Sequence, residues 1–174
     1  MLQLAGAPAL SAFRLDKLLR ALQAHRPDIT AVDAHFVHFV AAGRPLAADE
    51  SQLLDRLLTY GPKLPEEELR GALILAIPRP GTISPWSSKA TDIARVCGLD
   101  AIERIERGIA YGLAAVRPLT REDLARLAQP LFDRMTEIAV FDAADAAQLF
   151  EHHEPRALAT IALGALGRAA LERA

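Results

Sequence analysis

A single cysteine, Cys97, in 174 residues leaves no partner for an intrachain disulfide and no set of thiolates for a metal. Charge of one sign is also missing. Twenty Lys and Arg stand against 22 Asp and Glu, a formal net charge of -2. A protein that tracks phosphates along a nucleic acid carries a basic excess, so that class is set aside. No apolar run approaches the ~18 residues that span a bilayer. The first residues lack a basic segment, and Pro8 and Arg14 interrupt the apolar stretch that follows, so no secretory signal is read. A cytoplasmic protein without a membrane or nucleic-acid partner is the expectation. Neither a phosphate-binding P-loop nor a dinucleotide-type glycine signature occurs.

What is present is ordinary globular material, 51% hydrophobic and 24% charged, enough for one core. Residues 2–4 read as a short strand, with a turn at Gly6-Ala7-Pro8. Ser11 is a plausible cap for a helix over 11–25, where Leu15, Leu18, Leu19 and Leu22 share a face. Residues 29–40, rich in Val, Ile, Thr and Phe, read as a strand. A second helix is expected over 49–60, stopped by Gly61-Pro62, then a polar loop or frayed helical turn over 63–70 and a buried strand over 72–77. After a Pro- and Ser-rich loop, Ala90, Ile93, Ala94 and Cys97 predict one face of a helix ending before Gly98. Residues 102–116 fit either period, and Gly108 and Gly112 favour strand. Thr120-Arg121-Glu122-Asp123 resembles a capping box, with Pro130 ending or kinking the helix behind it. A strand over 138–141 and a short helix over 143–150 complete the order. The fold class expected is α+β: two β-α-β halves of similar length, forming antiparallel sheet covered by helices.

Few residues invite chemistry. Cys97 ends an apolar stripe and reads as a packing residue. His35 and His38 sit three apart on a strand and so face opposite ways. His152 and His153, between Glu151 and Glu154, diverge too far on a helix to share a metal. Glu66-Glu67-Glu68 reads as a solvated loop without spaced ligands. Glu103, Arg104, Glu106 and Arg107 are expected to make cross-strand surface pairs worth about 0–1 kcal/mol each.

The segment from Arg79 to Lys89 stands apart. Its prolines, Pro80 and Pro85, limit the chain, and Gly81 can turn it. Ser87 or Ser88 can cap the following helix, whose free N–H groups favour an anion. Arg79 and Lys89 add charge at the two ends, and Trp86 is the only tryptophan. The residues alone admit two readings. One is a stiff strand-to-helix connection with a packed Trp. The other is a partner or anion contact through Arg79, Pro80, Gly81, Thr82, Ser84, Trp86, Ser87, Ser88 and Lys89.

The string Pro78-Arg79-Pro80-Gly81-Thr82-Ile83-Ser84-Pro85-Trp86-Ser87-Ser88-Lys89-Ala90-Thr91-Asp92, with Arg104-Ile105-Glu106-Arg107-Gly108-Ile109-Ala110-Tyr111, resembles the N-terminal domain of large, single-chain phosphoribosylformylglycinamidine synthases. Ala9 to Arg14, Tyr60-Gly61-Pro62 and Asp133-Arg134-Met135 extend the likeness over most of residues 1–155. The resemblance implies one domain of a much longer polypeptide. Residues 156–174 would begin a linker to a synthetase domain, with a glutaminase domain beyond. Such a ligase makes formylglycinamidine ribonucleotide from formylglycinamide ribonucleotide, ATP and glutamine, in purine biosynthesis. ATP and Mg2+ would belong to the synthetase; no cofactor, metal or catalytic residue is expected in this stretch. The domain would resemble a dimer of the small separate subunit of multi-subunit forms, bridge synthetase and glutaminase, and help shape the ammonia path. The alternative is a free-standing anion- or nucleotide-binding sensor domain.

Overall fold

The computed structural model describes residues 1–61, 69–151, 160, 161 and 163–172. The expectations for Pro62, for Glu66 to Glu68 and the rest of that loop as far as residue 68, for the His152-His153 pair with Glu154, and for much of the linker lie outside the described residues. Within them run β1 (Leu2–Pro8), α1 (Ala12–His25), β2 (Ile29–Ala42), α2 (Ala48–Leu58), β3 (Ala72–Pro78), α3 (Pro85–Val96), β4 (Ile102–Ala115), α4 (Arg121–Leu127) and β5 (Glu137–Val140). A 3-10 helix, Ala143–Phe150, follows, and then two single-turn helices, α5 (Leu163–Leu166) and α6 (Arg168–Leu171).

All strand pairs are antiparallel, in the order β1-β2-β4-β3-β5. Alternation along the strands separates two faces. Val32, Ala34 and Val40 of β2 and Ile105, Tyr111 and Leu113 of β4 face the four long helices, meeting Leu22, Leu54, Leu58, Ala94, Leu124 and Leu127. Phe39, Leu75, Ile77 and Ala110 face the other way, against Ala146 and Leu149 of the 3-10 helix. The segment 102–115 is a strand because its glycines allow close approach. A Cβ on Gly108 would lie 2.6 Å from the Ala76 carbonyl oxygen, and one on Gly112 would lie 2.8 Å from that of Arg70.

The duplication is visible in the spacing of the elements. Ser11 and Ser84, the caps of α1 and α3, lie 73 positions apart. So do Ala47 and Thr120, which cap α2 and α4, and the first residues of β2 and β4, Ile29 and Ile102. With β2 and β4 central, β1 outside one and β3 outside the other, a local dyad passes near the Phe36–Ile109 pair. The acids at the third helical position match too. Glu50 accepts from the Ala47 N–H at 2.8 Å and Asp123 from the Thr120 N–H at 2.9 Å. Each also meets an arginine, Arg44 and Arg26, at 2.7 Å. Strand β5 is added outside β3 and breaks the symmetry.

Several boundaries move. Gly6 to Pro8 continue β1 instead of turning. The register slips between Ala5 and Pro8, and an edge strand tolerates the missing N–H. Helix α2 stops two residues short of Tyr60, freeing that side chain to reach the sheet. Helix α4 ends before Pro130. Cys97 is exposed, not packed. The buried stripe of α3 is Ser87, Thr91 and Ala94, one residue round from the expected one, and Ile93 is exposed. Small side chains let α3 lie close to β4, where the Thr91 hydroxyl accepts from the Ile105 N–H at 3.0 Å.

Candidate functional site

The connection from β3 to α3 is short and tied down. Gly81 takes φ +79°, the left-handed turn that glycine permits. The Thr82 N–H and hydroxyl both donate to the Arg79 carbonyl, at 3.2 and 2.6 Å. The cap of α3 is Ser84, not Ser87 or Ser88, with Pro85 in the first helical position. Its hydroxyl accepts from the Ser87 N–H at 3.0 Å. The same hydroxyl donates to Glu106 at 3.0 Å.

Glu106 is fully buried and ion-paired to Arg104, two residues away on the same face of β4. Arg104 also donates to the Thr82 carbonyl at 2.6 Å and the Leu149 carbonyl at 3.1 Å. The expected cross-strand surface pair is therefore a same-strand, interior one. A strand period of two brings residues i and i+2 to one side, and here the 3-10 helix covers that side. These contacts hold the turn at Thr82 and the cap at Ser84, and through them the orientation of α3.

Of the nine loop residues singled out, Arg79, Gly81, Thr82, Ser88 and Lys89 are exposed, and Pro80, Ser84 and Trp86 are half-buried. Ser87 is wholly buried, and its hydroxyl has no hydrogen-bond partner among the described residues. Trp86 lies over the helix face of the sheet. Its ring stacks on His38 at 5.7 Å between centroids, with planes 28° apart. Opposite His38 in the β2–β4 register is Arg107. The Arg107 guanidinium sits 4.4 Å from the Phe36 ring centroid, 4.7 Å from Trp86 and 6.0 Å from Tyr60. It donates to the Tyr60 hydroxyl at 3.3 Å, and that hydroxyl lies 2.6 Å from His38 Nε2. Burial, and then Arg107, push His38 down to about 4 from an ordinary 6.5, so it is neutral at pH 7.

Beside this cluster opens a cavity of about 230 Å³. Leu58, Ala94 and Ile105, all buried, line its base, and Trp86, Lys89 and Arg107 reach its rim. The loop reading found Trp86 and Lys89 but missed Phe36, His38, Tyr60 and Arg107. Arg107 carried a signal, a cation opposite a histidine in mid-sheet, but only the register discloses it. Among the described residues no three His, Cys, Asp or Glu side chains converge as a metal would require. No described helix is long and apolar enough to cross a membrane.

The comparison with protein families matches residues 35–150 to the N-terminal family of formylglycinamide ribonucleotide amidotransferase. The chain belongs to that family. The match begins within β2 and ends with the 3-10 helix, so it takes in the Trp86–Arg107 cluster and the tied connection. An amidotransferase N-terminal domain agrees with the resemblance drawn from residues 78–92, and it places the chain in a purine-biosynthesis enzyme. It also implies further domains with which this one shares a polypeptide.

Proposed function

We propose that this amidotransferase N-terminal domain is a non-catalytic scaffold that bridges the synthetase and glutaminase domains of its own polypeptide and helps shape the ammonia path. The observation that carries the reading is the buried Glu106–Arg104 tie. It fixes an exposed connection, Arg79 to Lys89, at one orientation. A rigid surface loses little entropy on docking, which suits a fixed interdomain contact. Arg79, Pro80, Gly81, Thr82, Ser84, Trp86, Ser88 and Lys89 form the proposed contact set. Ser87, buried, takes no direct part. The ligase reaction, with ATP and Mg2+, belongs to the synthetase part in this reading, and the enzyme works in the cytoplasm.

The test separates ammonia delivery from synthesis. In the full-length enzyme, Arg79→Ala and Lys89→Ala are expected to lower glutamine-dependent synthesis severalfold while ammonia-dependent synthesis holds near the wild-type rate. Equal loss of both activities, or loss of neither, would contradict a coupling role.

A further inference from the structure

Arg107 is a cation with too few partners. A guanidinium has five N–H donors, and the one hydrogen bond found among the described residues goes to the Tyr60 hydroxyl. Among the described residues no carboxylate pairs with it. Instead its Cζ lies 4.4 Å from the Phe36 ring centroid and 4.7 Å from that of Trp86, a cation–π setting. Donor positions remain beyond that one bond, and Arg107 lines the neighbouring cavity together with exposed Lys89.

The other half of the molecule supplies a comparison. The dyad relates Arg107 to Ala34 and His38 to Tyr111. There the core is closed: Ala34 is 2% exposed, and the Tyr111 hydroxyl donates to the Leu131 carbonyl at 3.1 Å. Stability at this place in the fold is thus met by a small residue and a satisfied tyrosine. The other half places Arg107 at this position, beside the cavity and, among the described residues, without a carboxylate partner.

Resting on the scaffold reading, we propose that the Arg107–Trp86 cavity is a docking socket for an acidic, apolar segment of a neighbouring domain. One Asp or Glu takes the open edge of Arg107, with help from Lys89, and an adjacent Leu, Ile, Met or Phe enters the cavity. Charge complementarity and size select this occupant. About 230 Å³ lies below the ~300–1,000 Å³ usual for nucleotide- or cofactor-sized sites. A caged Arg flanked by Trp and Tyr is also the composition of an interface hot spot. Ile93 and Tyr60, 52% and 45% exposed, extend the apolar rim.

The experiment places a photo-cross-linker in the intact polypeptide as Ile93→p-benzoylphenylalanine and identifies the captured peptide by mass spectrometry. The expected capture comes from outside this chain and carries Asp or Glu within two residues of a large apolar side chain. Its yield should fall about tenfold in Arg107→Gln, the loss of roughly one charged contact. Lys89→Glu, an exposed change that leaves the fold intact, should also lower the yield. Capture of a basic or uncharged peptide, or a yield indifferent to both changes, overturns the socket while leaving the scaffold reading standing. Capture confined to this chain or a second copy overturns both. Loss of capture on adding phenylacetate, with glutamine-dependent activity unchanged, would mark a small-carboxylate pocket and also overturn the proposal.

Discussion

Glu106→Ala is expected to lower the unfolding free energy by about 3–5 kcal/mol, because removing one member of a buried ion pair strands the other. Glu106 is fully buried, and Arg104, at 20% side-chain exposure, has little water to replace it. Four further groups depend on this pair. The Ser84 hydroxyl and N–H lose their acceptor, and the carbonyls of Thr82 and Leu149 keep a donor that no longer has a fixed position. Urea denaturation of the single variant measures the loss. The double variant Glu106→Leu with Arg104→Met should recover most of it, since an apolar pair of similar volume avoids the cost of burying two charges. That variant is nevertheless expected to lower glutamine-dependent synthesis in the full-length enzyme, because the turn at Thr82 is no longer tied. A single-variant loss below about 1 kcal/mol would be the behaviour of a solvated surface pair and would contradict the interior one.

Stability should fall between pH 6.5 and pH 4 through His38. Its folded value of about 4 is depressed from 6.5, so in this window the unfolded chain binds a proton that the folded chain refuses. The contribution is complete above pH 6.5 and lost as pH falls through about 4. It amounts to roughly 3 kcal/mol at ~1.4 kcal/mol per unit. His38→Gln should remove this slope. The carboxylates held low by arginines act in a different window. Asp28 and Glu50 are both brought to about 2, chiefly by hydrogen bonds from Arg26 and Arg44. What they contribute is lost only below about pH 4, so the two effects separate in a titration of stability against pH. A His38→Gln variant with the parent slope would mean that the imidazole is charged in the folded state.

Much of the fold was legible because the signals are local. Leu22 belongs to a helix stripe, Thr120 and Asp123 close a capping box, and residues 72–77 form an apolar run. The duplication was legible as an element order but not as a sequence repeat. What persists 73 positions apart is geometry: a serine cap, strand lengths, and an acid at the third helical position. The side chains on the dyad-related surfaces have diverged, as Ala34 and Arg107 show. The rotated face of α3 was missed because hydrophobicity alone favours Ile93 and Cys97, whereas close packing against β4 favours Ser87 and Thr91. The socket was only half legible. Trp86 and Lys89 lie in one conspicuous loop. Phe36, His38, Tyr60 and Arg107 come from three other segments, and only strand register and the early end of α2 bring them together.

On the proposed reading the α3 side of the molecule is covered in the intact polypeptide, whereas Lys17 lies outside the proposed contact set. Lys89 on α3 and Lys17 on α1 are both exposed in this chain, so they make an internal comparison. Amine acylation of the intact polypeptide, followed residue by residue, should label Lys17 about tenfold faster than Lys89, the protection expected of a group at a desolvated interface. Equal labelling of the two lysines would contradict the account.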